Sequence, residues 1–552
     1  MCNRNRIIKL TIVATMCMAY RLPLLALNPD TLLARASGPD SLLTRSYDFV
    51  SRSDGWFRTH NAAALTRFRS DNISQAELTV SHAHGGLVDY YQSPSTLNVT
   101  AAVQSLSRIS RRTVVYGAIS YDNFSGKHMT GSAFIDPTRK PFDIVEDSLT
   151  NPGRKHRDTY HLTGGVGIDL YKGIALGLRA DYLAANYAKY KDLRHKNKLM
   201  DMTFTASVYV PVGSWLALGA GYEYRRTTES VTFSTYGKND KVFKSLISYG
   251  PHFGHVEQFG SNGYTDQSRT MPLVDDYNGF TAQLWVSPVA ALTWLNSFSY
   301  AYRHGYYGRK SPYTITYSGH TSRSYAFQSQ LMLRLSSSRH TLSADVNVEN
   351  LENRQSVYRE MKNESGASYY EYYIPVRTGN RLWMEGQVSY TADLGVRGEL
   401  PCWTVQAALQ WYHRHQTAYL YPYYRRQRIG NRDYSLSVER NFLLPKGVLT
   451  VNLHGSLRKG IGSLADDGTL AEPSEKQEFP PTMEAFLCRE YQYLAASGYS
   501  VGGRCRYAFL LPGIKLRPHV ELSVDQRKAN ETFDYSQGCD NTTLSLTVGC
   551  IF

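Results

Sequence analysis

The sequence predicts an all-β fold: a transmembrane antiparallel β-barrel of about 16–18 strands, with short periplasmic turns and long extracellular loops. Three observations predict it. The C-terminal segment sets Thr542, Leu544, Leu546, Val548, Cys550 and Phe552 on one face and Thr543, Ser545, Thr547, Gly549 and Ile551 on the other. A period of two with one apolar side marks a strand with one greasy face. The same pattern recurs along most of the chain, and the connections between patterned stretches run short and long in turn. Each face of a membrane collects every second connection of a barrel, so two unlike rims produce that alternation.

Composition agrees. Mean hydropathy is −0.39, and the sustained apolar run Leu10 to Tyr20 is too short to cross a bilayer as a helix. A helical membrane protein is excluded. A barrel is not, because it spreads its apolar residues over every second position. Forty-two Tyr against twenty Phe and seven Trp suit aromatic girdles at a membrane interface.

Taken in order, residues 1–26 read as a secretory signal peptide: Arg4, Arg6 and Lys9 form a basic start and Leu10 to Tyr20 an apolar core. Its cleavage point is undefined, with Ala19 and Ala26 the nearby small residues. Residues 27–74 lack alternation and are expected to form a periplasmic arm or a lumenal hatch, ahead of a barrel over 75–552. Strand candidates are 75–83, 97–109, 113–122, 158–170, 174–187, 201–211, 214–227, 277–288 and 291–304 in the first half. The second half adds 321–336, 338–353, 380–394, 402–416, 430–443, 446–459, 491–510, 514–527 and 540–552. Gln75 to Ala83 is the weakest, which keeps sixteen strands open.

Three of these show how the faces divide. Residues 402–416 set Trp403, Val405, Ala407, Leu409 and Trp411 against Thr404, Gln406, Gln410 and Arg414. A Trp at each end of one greasy face is what two interfacial girdles require. Residues 446–459 set Leu449, Val451, Leu453 and Leu457 against Thr450, Asn452, His454, Ser456 and Arg458. Residues 514–527 set Ile514, Leu516, Pro518, Val520, Leu522 and Val524 against Lys515, Arg517, His519, Glu521, Ser523 and Asp525. Short connections include Lys172-Gly173, Val212-Gly213, Pro445-Lys446 and Pro512-Gly513, with Gly and Pro as turn formers. Long polar ones are 123–157, 228–276, 354–379, 417–429 and 460–490.

The formal charge of +14 suggests an anionic partner. For an exported chain that is lipopolysaccharide or an anionic solute, not nucleic acid. Cys402, Cys488, Cys505, Cys539 and Cys550 lie far apart without a CxxC pair, so neither a zinc site nor a dense disulfide framework is expected. No GxSxG, HExxH, Walker loop or dinucleotide fingerprint occurs, so no enzyme, cofactor or metal is expected. The pairs His82/His84, His413/His415 and His252/His255 lack carboxylate or thiol partners at fixed spacing and read as interfacial or solvated histidines.

The candidate lumen-facing residues are Lys515, Arg517, His519, Glu521, Asp525, Arg458 and Arg414. Charges of both signs can line a watery pore, or pair across strands and close it. Tyr421, Tyr423, Tyr424, Arg425 and Arg426 are the candidate recognition residues of an outer loop, since Tyr with Arg offers large contact area and directed hydrogen bonds. Terminal Phe552 resembles the signal that bacterial outer-membrane barrels present to their assembly machinery.

Trp56, Asn61-Ala62-Ala63-Ala64-Leu65, Tyr182, Asn186-Tyr187, Asp192-Leu193-Arg194, the Tyr-rich and Trp-poor strands and Phe552 together carry a resemblance. On them the chain resembles an uncharacterised family of outer-membrane β-barrels of gut-type Bacteroidota, of the DUF6850 type. That resemblance implies a fold and a location and no activity. Asn61 to Leu65 also looks like the Asn-Pro-Ala segment of hydrophobic-compound transporters related to long-chain fatty-acid channels, with Ala62 in place of the proline. TonB-dependent receptors are a poorer match, because they need a large plug domain ahead of their barrel.

The expected function is passage or capture of a solute at the outer membrane. Two alternatives accompany it: a structural or docking barrel whose Tyr/Arg loops bind a surface protein, and a hydrophobic-compound channel opening near residues 56–65.

Overall fold

The computed structural model describes residues 45–552 apart from 147–150, 238–240, 261–264, 266–270, 512–515, 533–534 and 536–537. The expected signal peptide and Lys515 lie outside the described residues. Eighteen strands form one sheet, each antiparallel to its neighbours, and the first closes against the last. Strand Ile73–Gly85 is laddered along its length, with Gln75 opposite Ile551 and Gly85 opposite Asn541. Ser74 and Phe552 exchange both backbone hydrogen bonds, at 2.8 and 2.9 Å. The weakest sequence candidate is therefore the seam strand, and sixteen is excluded. An even number returns the chain to the side from which it entered.

Outward and inward faces follow the alternation. Leu544, Leu546 and Val548 are exposed on the lipid side, while Thr547 and Ile551 are buried within. Leu453 and Leu457 face outward, and Asn452 is buried inward. At the periplasmic rim Lys172 and Gly173 carry φ of 51° and 79°. Two positive values in a two-residue turn match the twist of the strands it joins.

The outer rim departs from expectation. Residues 417–429 are not a loop: strands Trp403–Leu420 and Tyr423–Leu444 run through them and turn at Tyr421-Pro422. Likewise Thr113–Met129 and Gly153–Tyr171 extend into 123–157, and Gly447–Thr469 extends into 460–490. Above the hydrocarbon both faces meet water, so apolar alternation stops while backbone pairing continues. Residues 491–510 are corrected too. Helix Glu484–Ala495 precedes strand Gly498–Phe509. Tyr491 and Tyr493 imitate a two-residue period, but the helix buries Phe486, Leu487, Arg489 and Glu490 on one side.

Two groups of residues occupy the interior. Ahead of the first strand, helix Tyr47–Ser51 and the 3₁₀ turns Gly55–Arg58 and Ala62–Arg67 pack on inward side chains of the wall. Asp54 and Asn61 start the two 3₁₀ turns by accepting from the amides of Trp56 and Ala64, at 3.1 and 3.3 Å. Trp56 stands edge-on to Tyr209 with centroids 5.2 Å apart. Towards the outer end, strand Asp143–Glu146 joins Lys244–Ser248 and Gly254–Gln258 in a small sheet. It covers a core of Phe134, Phe142, Ile144, Phe233, Phe253 and Leu273.

Candidate functional site

Wall side chains hold both inner groups by charge. On the periplasmic side Arg58 donates to Ser343 at 2.7 Å and Asp345 at 2.8 Å, and Arg67 donates to Asp169 at 2.6 Å. Arg45 ties the segment to Glu399 of a periplasmic turn at 2.9 Å. On the outer side Lys140 meets Glu229 at 2.8 Å, and Arg381 donates to the Lys140 carbonyl at 2.6 Å. Arg414 reaches Glu490 of the helix at 2.7 Å.

Between them lie two adjoining cavities of about 960 and 740 Å³ that share Gln410, Asp433, Arg458 and Arg527. The larger touches Ser46, Asp48, Phe49 and Arg52 of the N-terminal segment. The smaller touches Asp89, Tyr90, Arg139, His252 and Glu490 of the outer group. The space between the two inner groups is thus lined by polar and charged side chains.

The sequence candidates divide among these chambers. Arg517, Glu521 and Asp525 line the larger, Arg414 the smaller, and Arg458 both. His519 is buried in the wall, 3.0 Å from Glu77 and 2.8 Å from Arg506. Charges pair across strands: Arg458 with Asp433 at 2.6 and 2.7 Å, Arg504 with Glu439 at 2.7 Å, and His454 with Asp525 at 2.6 Å. Asp433, Glu439, Arg504 and Arg527 escaped the sequence reading, while His454 was placed on the polar face of its strand. Extending each strand's inward phase outward from its apolar face would have found Asp433, which stands opposite Arg458 in register.

Two carboxyls of the outer group behave oppositely. Burial pushes Asp89 well above the usual carboxylate range, and neighbouring Glu490 adds to the push. Burial acts the same way on Glu490, but Arg414 and His252 outweigh it and hold that carboxyl well below the usual range. The two environments thus favour the charge on Glu490 over that on Asp89.

Of the outer-rim candidates, Tyr421 is 67% exposed at the turn. Tyr423 donates to the Gln477 carbonyl at 2.7 Å and stands edge-on to Phe479. Arg425 points inward, buried, with both arms on Asp467 at 2.6 and 2.7 Å. Tyr424 and Arg426 lie together on the other face of that strand, 5.1 Å from guanidinium carbon to ring centroid. Around residues 56–65 the wall strands 153–211 pair without a gap, so the described residues show no lateral opening there.

A closed barrel with an apolar exterior, a polar interior and strands that outrun the membrane on one side is built for the bacterial outer membrane. Residues 62–552 match the model of a family of unknown function, DUF6850. The chain belongs to that family. No curated protein matches it. Among solved structures, the ferric preacinetobactin receptor BauA of Acinetobacter baumannii is 9% identical, covering 87% of this chain and 80% of its own, with a TM-score of 0.35. The outer membrane transporter YddB of Escherichia coli is 8% identical over 88% and 81%, with a TM-score of 0.39. The ferric-catecholate import receptor Fiu of E. coli K12 is 7% identical over 88% and 82%, also at 0.39.

Proposed function

We propose that this barrel captures a small polar solute in its two chambers and passes it inward when the N-terminal segment, acting as a lumenal hatch, shifts from its seat. The observation that supports this most is the pair of adjoining polar cavities held between two inner groups. A purely structural barrel has no need of paired charges facing water-sized space. No catalytic role and no nucleic-acid partner are proposed. The assembly machinery, through Phe552, and lipopolysaccharide are the proposed partners in the membrane.

The test is solute flux into liposomes and conductance in planar bilayers, for the whole protein and for a variant lacking residues 45–70. The intact barrel should conduct little and the variant freely. A variant that assembles, migrates heat-modifiably and still passes nothing would remove the transport reading. The docking reading draws support from Tyr421 at the rim. It predicts a surface partner lost when the hairpin 417–429 is shortened. The hydrophobic-compound reading lacks support, because it needs a breach beside residues 56–65.

A further inference from the structure

Strands Trp403–Leu420, Tyr423–Leu444 and Gly447–Thr469 carry a cationic outward face. Arg428, Arg432 and Lys459 are exposed on it, and Arg432 stands directly opposite Lys459 and Trp411 in register. His415 lies opposite Arg428, with Nε2 3.3 Å from its Nε. Between Arg428 and Arg432 the strand has Gly430, flanked by His413 and Ile461. A Cβ there would stand 3.0 Å from the Tyr412 oxygen, 3.1 Å from Ile461 and 3.2 Å from His413. Gly430 is thus buried under its neighbours, and the outward surface around it carries a guanidinium at each end and an ammonium at one side.

The depth of this surface in the membrane can be read from the same strand. Arg440 stacks on Trp403 at 4.4 Å and on Phe442 at 4.6 Å, which marks the periplasmic girdle. From Arg440 to Arg432 the outward residues are Val438, Leu436 and Tyr434. That stretch is about 27 Å along the strand and roughly 20 Å along the normal at a tilt of about 40°. Arg432 and Lys459 thus sit in the outer part of the apolar band, which is about 25 Å tall, above exposed Tyr434, Leu436 and Leu457 and within side-chain reach of outer-leaflet phosphates.

The cations are also unmatched. Among the described residues no carboxylate forms an ion pair with Arg428, Arg432 or Lys459. The acids of these strands are spent elsewhere: Asp433 turns inward to Arg458 and Asp467 to Arg425. Asp466, nearer the rim, is opposite Arg426. Elsewhere on the outer face Arg226 has Asp276 at 3.5 Å and Arg354 has Glu352 at 2.8 Å. Unpaired cations beside hydrocarbon are costly unless an anion meets them, and guanidinium pairs hold phosphate through two bonds each.

We propose that this face binds a phosphorylated outer-leaflet lipid, its phosphate held among the exposed Arg428, Arg432 and Lys459, and its acyl chains on Tyr434, Leu436 and Leu457. This site is on the outside of the wall and is independent of what the lumen does.

The experiment is native mass spectrometry of the full-length barrel in detergent, titrated with diphosphoryl lipid A, with its dephosphorylated form, and with inorganic phosphate. The wild type should hold the diphosphoryl lipid about tenfold more tightly than the dephosphorylated one. The variant R428Q/R432Q/K459Q should lose that preference, while K196Q/K198Q/R323Q, on other outward strands, should keep it. Equal affinity for the two lipids, or an unchanged preference in the first variant, overturns the proposal. Competition by inorganic phosphate at equal concentration overturns it too, since it would mark a free-anion site. Should the triple variant fail to assemble, R432Q and K459Q singly decide: each should weaken the preference about threefold, and no change in either refutes it.

Discussion

Gly177 is the most direct handle on the inner segment. It faces inward beneath Ala62-Ala63, and a Cβ built there would lie 2.0 Å from the Ala63 nitrogen and 2.3 Å from the Ala62 carbonyl carbon. Both neighbours are backbone, so no side chain can swing aside. Across the strand pair, a Cβ at Gly167 would meet the Ala62 oxygen at 2.4 Å. Gly177→Ala must therefore push the 3₁₀ turn Ala62–Arg67 off its seat or bend the wall. The wall is laddered on both sides, with Gly177 opposite Gly167 and Ser207, and is the stiffer of the two. Overpacking of one methyl group costs about 1–3 kcal/mol, and here most of it falls on the seated segment. The unseated population should rise about fivefold to a hundredfold. Hydrogen exchange of a peptide covering 56–68 reads this directly, because the amides of Phe57, Ala64 and Phe68 are bonded within the segment at 3.1, 3.2 and 2.9 Å. Gly164→Ala is the control, since its Cβ would meet nothing within 4 Å. If Gly177→Ala exchanges like the wild type, or if Gly164→Ala exchanges as fast, the segment is not held by this fit.

The outer group should respond to pH through Asp89 and Glu490. Asp89 is raised above its ordinary value of 3.8, so its contribution to stability is full below that value and is lost as pH rises through its folded pKa. Glu490 is lowered, so its contribution holds above its ordinary value of 4.5 and is lost only as pH falls through its folded pKa. Protection of helix Glu484–Ala495 should accordingly decline as pH rises from 4, Asp89→Asn should flatten that decline, and a profile of the same slope in the variant would contradict the assignment. Glu490→Gln leaves Arg414 buried without its carboxylate and should cost the helix about 3–5 kcal/mol of local protection; a loss under about 1 kcal/mol would show that the pair does not dock it. Deleting Phe552 removes the last two seam hydrogen bonds to Ser74 and the terminal aromatic together, and should lower the heat-modifiable fraction in whole cells. A mutant ending in alanine at 552 separates the two, because it keeps the backbone bonds; normal assembly in that mutant would count against an aromatic signal.

Sequence alone determined the wall. Alternation along a strand is local geometry, since successive Cβ atoms must point to opposite faces, so Leu544 to Phe552 declared their lipid side and Thr547 its lumen side without reference to any other residue. Periplasmic turns such as Lys172-Gly173 were legible for the same reason. Strand extensions above the membrane were not, because water on both faces removes the pattern while pairing persists. Helix Glu484–Ala495 was masked by Tyr491 and Tyr493, and only its packing inside the mouth reveals it. The interior belongs to tertiary structure. That Arg414 meets Glu490 and that Gly177 makes room for Ala63 depend on packing inside the closed barrel, which brings together residues dozens to more than a hundred positions apart. Which charges face the lumen could be read one strand at a time. Whether they meet a partner, a cavity or lipid phosphate is set by register around the whole ring, a property no single strand carries.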